Sequence, residues 1–448
     1  MRRKLIEESV LFVSVLKWVV LATVVGAVVG VSTALFISIL SWSTRVVSSY
    51  PYYFLLLPLG LLTSGLIVRY VDPDAKGYGT EKVIEAVHRS SGKIRAKVIP
   101  AKLAATIITA STGGSVGQIG PCSQIGAALA SLLADLLHFD DGDRKKLVIC
   151  GISAGFSSVL GAPVAGAIFG LEVLFMGSIL YEVLLPSFIA GVTSYHVSTL
   201  LGITYLHVPL GRIPPLSEEF ILVVIVAGIF FGICAALAIE MLQWSLKMAE
   251  RIFRWGPVNG IIGGLILIGL TFLFSADYLG LGVDLTHRAL QGVEIAWYAF
   301  LMKIVFTGVT FAFGGSGGII APLICAGALA GSFFGEILGL DRVTFAAIGF
   351  VSVLSGAANT PIAMSILAIE LFGPAIAPYA AISCVISFLM TGHRSVFPTQ
   401  RIASRKSSSV DVVLGGEVGK THSEYKRRDK SLIDACLRAA GKFGKKKD

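Results

Sequence analysis

Gly113-Gly114-Ser115-Val116-Gly117-Gln118-Ile119-Gly120-Pro121 returns later in the chain as Gly314-Gly315-Ser316-Gly317-Gly318-Ile319-Ile320-Ala321-Pro322. The Gly-Gly-Ser opening, the next Gly, an Ile and the Pro fall at the same offsets, and a further shared Gly follows at Gly126 and Gly327. Glycine lets a backbone turn sharply and approach a ligand with no Cβ in the way. Proline suits the first turn of a helix, where its missing N–H costs nothing. Each copy therefore reads as a loop feeding a helix N-terminus. A second element follows each copy: Ala162-Pro163-Val164 ending at Glu172, and Thr360-Pro361-Ile362 ending at Glu370. In both, Glu follows Pro by nine residues. Two related halves, each interrupted by Gly and Pro, are the sequence mark of a transport site between inverted repeats.

The composition sets the medium. Of 448 residues 54% are hydrophobic and 15% charged, and the mean hydropathy is +0.80. A soluble domain carries about a quarter charged residues. Long apolar runs at Trp18–Leu40, Phe54–Val68, Phe220–Ile239, Ile261–Phe274 and Ala375–Met390 read as transmembrane helices. Other runs, such as Cys122–Leu137 and Leu147–Leu160, read as too short to cross about 30 Å of hydrocarbon, so half-spanning helices are expected. The net charge of +9 gathers at the chain ends, in Arg2, Arg3 and Lys4 and in Arg401, Arg405, Lys406, Lys426, Arg427, Arg428, Lys430 and Lys445–Lys447. That places both termini on the cytoplasmic side, with an even number of spans, and argues for anionic lipid rather than nucleic acid.

The first apolar run is longer than a signal-peptide core and reads as a retained helix. The six cysteines (Cys122, Cys150, Cys234, Cys325, Cys384 and Cys436) are scattered, mostly in apolar helices, with no metal spacing. No metal or cofactor is expected. The division read from the sequence is an N-terminal segment 1–17, a first membrane repeat 18–201, a connecting loop 202–217, a second repeat 218–400 and a basic tail 401–448. The tail could hold a short amphipathic helix at Lys430–Phe443.

Helix N-termini present unpaired N–H groups and about half a positive charge. They hold anions without a basic side chain. Two such ends converging from two halves would make an anion site at the midplane; the plainer alternative is tight glycine-mediated helix packing. A third candidate is Gly77-Tyr78-Gly79-Thr80-Glu81, just before the helical pattern Lys82–His88, where Tyr78 offers a hydroxyl donor. A fourth is the turn Gly392–Gln400, which carries Phe397. Glu172 and Glu370 read as symmetry-related caps, with proton handling as the alternative for acids in a membrane. Lys102 reads as snorkelling to the surface, and Lys303 as a source of positive potential for a pore.

The order and spacing of these elements resemble the CLC family of chloride channels and proton/chloride antiporters, over nearly the whole membrane part. The resemblance aligns the family's anion loop with Gly77–Glu81 and its first glycine-rich motif with Gly117-Gln118-Ile119-Gly120-Pro121. Its second glycine-rich motif aligns with Gly318-Ile319-Ile320-Ala321-Pro322, and its pore tyrosine with Phe397. It implies an all-α integral membrane fold, a CLC-type inverted-repeat bundle with many tilted and broken helices, assembled as a homodimer. It also implies voltage-gated chloride channel activity and anion binding at Gly77, Tyr78, Gly79, Gly117, Gln118, Ile119, Gly120, Gly318, Ile319, Ile320 and Phe397.

The departures from the family are specific. The gating glutamate is Ile119 here, and the inner proton glutamate is Val173. The pore serine is Tyr78 and the pore tyrosine Phe397. The resulting expectation is passive transport of chloride or another small anion, without proton coupling, in the plasma membrane. The alternatives are a proton-coupled antiporter using Glu172, Glu81 or Glu85, and a non-conducting membrane scaffold blocked by Tyr78, Ile119, Ile320 and Phe397. An enzyme is not expected. The chain has no Ser/His/Asp arrangement and no Lys-Ser/Thr after its glycines, and the tail is too short for CBS domains.

Overall fold

Backbone that crosses hydrocarbon must satisfy its own hydrogen bonds, so the apolar runs fold as helices. The computed structural model describes residues 2–426, except 209, 212, 213, 216, 253–255 and 422. The expected tail helix Lys430–Phe443, Cys436 and the final basic run lie outside the described residues.

Among the described residues, sixteen α-helices follow one another as two sets of eight. The first set is α1 (Arg2–Ser48), α2 (Leu57–Tyr70), α3 (Thr80–Arg89), α4 (Val98–Ser111), α5 (Ile119–Leu136), α6 (Asp141–Leu160), α7 (Pro163–Glu172) and α8 (Leu184–Leu200). The second is α9 (Glu218–Ile252), α10 (Gly256–Leu273), α11 (Val283–Leu290), α12 (Ala299–Ala312), α13 (Ile320–Ile337), α14 (Arg342–Ala358), α15 (Pro361–Phe372) and α16 (Ala377–Met390). The sets match in order, and α4 and α12 have 14 residues each, α5 and α13 18 each. Six described helical segments are long and apolar enough to cross a membrane.

Contacts between the halves come in exchanged pairs. Ser115 N–H donates to Thr310 Oγ1 at 3.1 Å, and Ser316 N–H to Thr109 Oγ1 at 3.2 Å. Glu172 caps α15, accepting from Ile362 N–H at 3.1 Å and Ala363 N–H at 2.8 Å. Glu370 caps α7, accepting from Val164 N–H at 3.0 Å and Ala165 N–H at 2.8 Å. Each acid thus fills orphan donors at the other half's helix start. The shared glycines serve helix contact. A Cβ on Gly126 would sit 2.6 Å from Gly151 O, and one on Gly327 2.3 Å from Gly349 O, so α5 meets α6 and α13 meets α14 backbone to backbone.

Several boundaries differ from expectation. α1 has 47 residues, about 70 Å at 1.5 Å per residue, and runs unbroken through positions 17 and 18. α5 starts at Ile119 and α6 at Asp141, so both are longer than their apolar cores suggest. α6 gains a polar first turn capped by the Asp140 carboxylate, which accepts from Asp143 N–H at 2.8 Å.

The chain after α16 is short on regular structure but well tied. Strand β1 (Phe175–Met176), just after α7, pairs in parallel with β2 (Arg401–Ile402), and β3 (Val410–Asp411) pairs antiparallel with β4 (Glu424–Tyr425). Met176, Ile402, Val412 and Val418 share a small apolar cluster. Arg89 on α3 donates two hydrogen bonds from Nη2 and one from Nε to the Glu417 carboxylate, at 2.7–2.9 Å.

Candidate anion site

The two glycine motifs meet at the centre of the molecule. Gly117 N–H donates to Gly318 O and Gly318 N–H to Gly117 O, both at 2.7 Å. This reciprocal pair holds the starts of α5 and α13 side by side. Gln118 and Ile319 are their N-cap residues, and Ile119 and Ile320 their first helical residues.

A third helix start joins them. α3 begins after Gly79, which has φ +79°, and Gly77 has φ +75°; both are backbone settings that favour glycine. Gly77 lies beside Ser316, and Gly317 N–H reaches Gly77 O at 3.4 Å. A Cβ on Gly120 would fall 2.1 Å from Tyr78 O and 3.0 Å from Gly318 Cα. The loops carrying Gly77–Gly79, Gly117–Gly120 and Gly318–Ile320 are therefore in mutual contact, and only glycine at 120 lets Tyr78 in.

Side chains close around these helix starts. Ile119 is 1% exposed, Ile320 0% and Tyr78 6%. The Tyr78 ring meets Phe311 of α12 edge-on, with centroids 4.7 Å apart. Phe397 is fully buried on the loop after α16, which reaches the others through Thr399 Oγ1–H to Glu81 O at 3.3 Å. Val173, at the end of α7, meets the loop that carries Phe397, where its carbonyl accepts from Gln400 Nε2 at 2.9 Å. A cavity of about 410 Å³ reaches Gln118 and Ile119 and is walled by Tyr205, His207, His287 and Phe350.

Lys102 does not snorkel. It is fully buried, and its Nζ donates to Ala75 O at 3.2 Å, Gly77 O at 2.6 Å and Ser316 Oγ at 3.1 Å. Those acceptors compensate its burial and pin the loop that opens α3. Lys303 repeats the arrangement, donating to Tyr278 O at 3.1 Å and Gly280 O at 3.0 Å before α11. The signal was present in the sequence: each lysine precedes its Gly-Gly-Ser by eleven residues. Gln400 and the unpartnered, buried Thr80 hydroxyl at the start of α3 carried no such signal.

Helix starts from two exchanging halves, packed at the centre of a multi-span helical protein, define an inverted-repeat membrane transport protein. The voltage gated chloride channel family model matches residues 59–392, and the chain belongs to that family. The chloride/fluoride channel protein of Pseudomonas syringae pv. tomato is 33% identical over 407 residues, covering 89% of this chain and 90% of that one. The H(+)/Cl(-) exchange transporter ClcA of Salmonella paratyphi B is 25% identical over 388 residues, covering 78% and 80%. The crystal structure of a CLC-type fluoride/proton antiporter is similar with a TM-score of 0.82 at 27% identity, covering 86% of this chain and 98% of that one. The fold is thus the all-α CLC-type bundle of an integral, multi-pass membrane protein, and CLC-type anion transport is its function.

Proposed function

We propose that this chain is a passive channel for chloride or a similarly small halide, with no proton coupling. The observation that carries this is the Gly117–Gly318 exchange, which joins two helix starts that each open with isoleucine. Backbone amides of α3, α5 and α13 supply the attraction. Gly77, Tyr78, Gly79, Gly117, Gln118, Ile119, Gly120, Gly318, Ile319, Ile320 and Phe397 line the path. A carboxylate at 119 would compete with the anion and carry a proton; isoleucine does neither. Valine at 173 relays no proton. Glu172 and Glu370 are engaged as helix caps, and Glu85 is paired with Lys82 and Arg89. The protein works as a homodimer in the plasma membrane with both termini cytoplasmic, and it is not an enzyme. The positive charge at the two ends supports that orientation.

One observation favours a coupled reading: Glu81 lies in the first turn of α3, two residues from Gly79. Purified protein in liposomes separates the two. A chloride or fluoride gradient should discharge once potassium permeability relieves the voltage, with no proton movement. Uphill proton movement driven by the anion gradient would overturn the passive reading and point to Glu81.

A further inference from the structure

Phe397 sits in a loop with no helix or strand of its own, yet it is fully buried beside the pore elements. Something other than regular backbone bonding must fix it. The residues three before and three after it are both gripped by one buried amide lattice. Asn359, the left-handed cap of α14, donates from Nδ2 to Arg394 O at 3.0 Å and to Gln400 Oε1 at 2.9 Å. Gln400 Nε2 donates onward to Val173 O at 2.9 Å and to Ala358 O at 3.1 Å. Lys406 Nζ closes the other end, donating to Asn359 Oδ1 and to Phe388 O, both at 2.6 Å, with the ammonium 4.0 Å from the Phe388 ring centroid.

The donors all point one way, from Lys406 through Asn359 and Gln400 to the carbonyl ends of α7 and α14. Such a directed chain polarises itself and specifies one arrangement. Burying Asn359 and Gln400, with Lys406 half-buried beside them, where apolar side chains would pack costs free energy unless every group is met. In Gln400 both N–H groups and the carbonyl oxygen are met, and its backbone also holds Phe397 O at 3.1 Å and Val418 N–H at 2.9 Å.

We infer that Gln400 is the positioning residue for Phe397. It locks the aromatic to the ends of α7 and α14, and this fixed ring sets how anions are sorted in the pore. The inference rests on the anion-channel reading above. Gln400 touches no anion; it acts through Phe397. Its amide neither gains nor loses a proton, whereas burial lowers the pKa of the Lys406 ammonium at the other end of the lattice to about 7.

The test compares halide permeability ratios, fluoride against chloride, for wild type, Gln400→Met, Gln400→Glu and Lys406→Met in liposomes. Size-exclusion profiles report folding. Gln400→Met keeps the volume and loses the bonds; it should shift the ratio by about fivefold or more. Gln400→Glu faces two carbonyl acceptors when ionised, but its protonated form can donate to one. Two charged groups adjoin its partners: the Lys406 ammonium, one amide away through Asn359, and Glu172, next in the chain to Val173. Its ratio should therefore return toward wild type on acidification, which a general loss of structure would not produce. A monodisperse Gln400→Met with the wild-type ratio would overturn the inference. Should that variant fail to fold, pH-independent Gln400→Glu together with unchanged Lys406→Met would overturn it equally. A wild type that passes no halide would remove the channel reading first and this inference with it.

Discussion

Removing Glu172 separates a cap from a proton carrier. Its carboxylate is 4% exposed and accepts Ile362 N–H at 3.1 Å and Ala363 N–H at 2.8 Å. A charge-assisted hydrogen bond contributes about 1.5–3 kcal/mol, so the pair contributes about 3–6 kcal/mol before the cost of burying the charge. Glu172→Ala leaves the first turn of α15 without an acceptor and should cost about 3 kcal/mol net. The amide of Glu172→Gln would keep one acceptor oxygen but turn an NH₂ toward the other donor, so that variant should lose about half as much. The mirror acid Glu370 is less deeply buried, and Glu370→Ala should cost less, about 1–2 kcal/mol. Thermal unfolding in detergent gives the ranking, and liposome flux below all the transitions gives the function. As a cap, Glu172→Gln keeps passive halide flux. The reasoning fails if Glu172→Ala melts with the wild type, or if Glu172→Gln abolishes an anion-driven proton movement that the wild type shows.

The remaining predictions bear on the site and the tail. Ile119→Glu places a carboxylate at the first position of α5; halide efflux should be suppressed at neutral pH and rise as pH falls through the carboxylate's titration, and pH-independent efflux would count against this position as the gate. Gly120→Ala drives a Cβ to 2.1 Å from Tyr78 O and should abolish flux, whereas Gly269→Ala meets nothing within 4 Å on α10 and should leave flux unchanged, both read by efflux of purified protein. Hydrogen bonds from Lys420 and then Arg89 hold the Glu417 carboxyl below its ordinary value. Its share of tail docking is therefore present above the ordinary carboxylate range and lost as pH falls through the lowered value. Limited proteolysis of the tail should speed up on acidification in the wild type, and Glu417→Gln should be fast at both pH values.

What the sequence revealed was local and periodic. Glycines with a following proline located the helix starts at Ile119 and Ile320, because the demand for a turn without a Cβ is written in the residues themselves. The Gly77–Glu81 stretch gave the start of α3 within two residues, for the same reason. The polar first turn of α6 was missed because Asp141–Lys146 reads as a loop when only apolar residues are followed. Lys102 reads as a surface residue because its acceptors are distant in sequence: loop carbonyls 25 and 27 residues away and the Ser316 hydroxyl 214 residues on. Glu172 reads from sequence as an acid with a mate at Glu370, but the amides it caps lie 190 and 191 residues on. Gln400 had no signal at all, since its partners are the carbonyls of Val173 and Ala358 and the amide of Asn359.

The two halves differ in where their glycine loops go. Both halves bend a short loop with paired left-handed glycines, Gly77 and Gly79 in one, Gly280 and Gly282 in the other. Both pin it with a buried lysine on two carbonyls. The loops then go to different places. Gly77 lies against Ser316 and Gly317, next to the Gly117–Gly318 pair, while Gly280 N–H donates at 3.1 Å to Gly113 O, at the far end of its motif. So α3 opens beside the Gly117–Gly318 pair, while Leu281 and Val283 at the start of α11 wall the cavity that reaches Gln118 and Ile119. The glycine motifs differ at this mirror pair: a Cβ on Gly120 would fall 2.1 Å from Tyr78 O, whereas the matching position carries Ala321, whose own Cβ lies 2.7 Å from where a Cβ on Gly117 would fall. Symmetry supplies the two helix starts at Ile119 and Ile320, and the different courses of the two glycine loops set Tyr78 against Gly120, where its counterpart between Gly280 and Gly282 is Leu281.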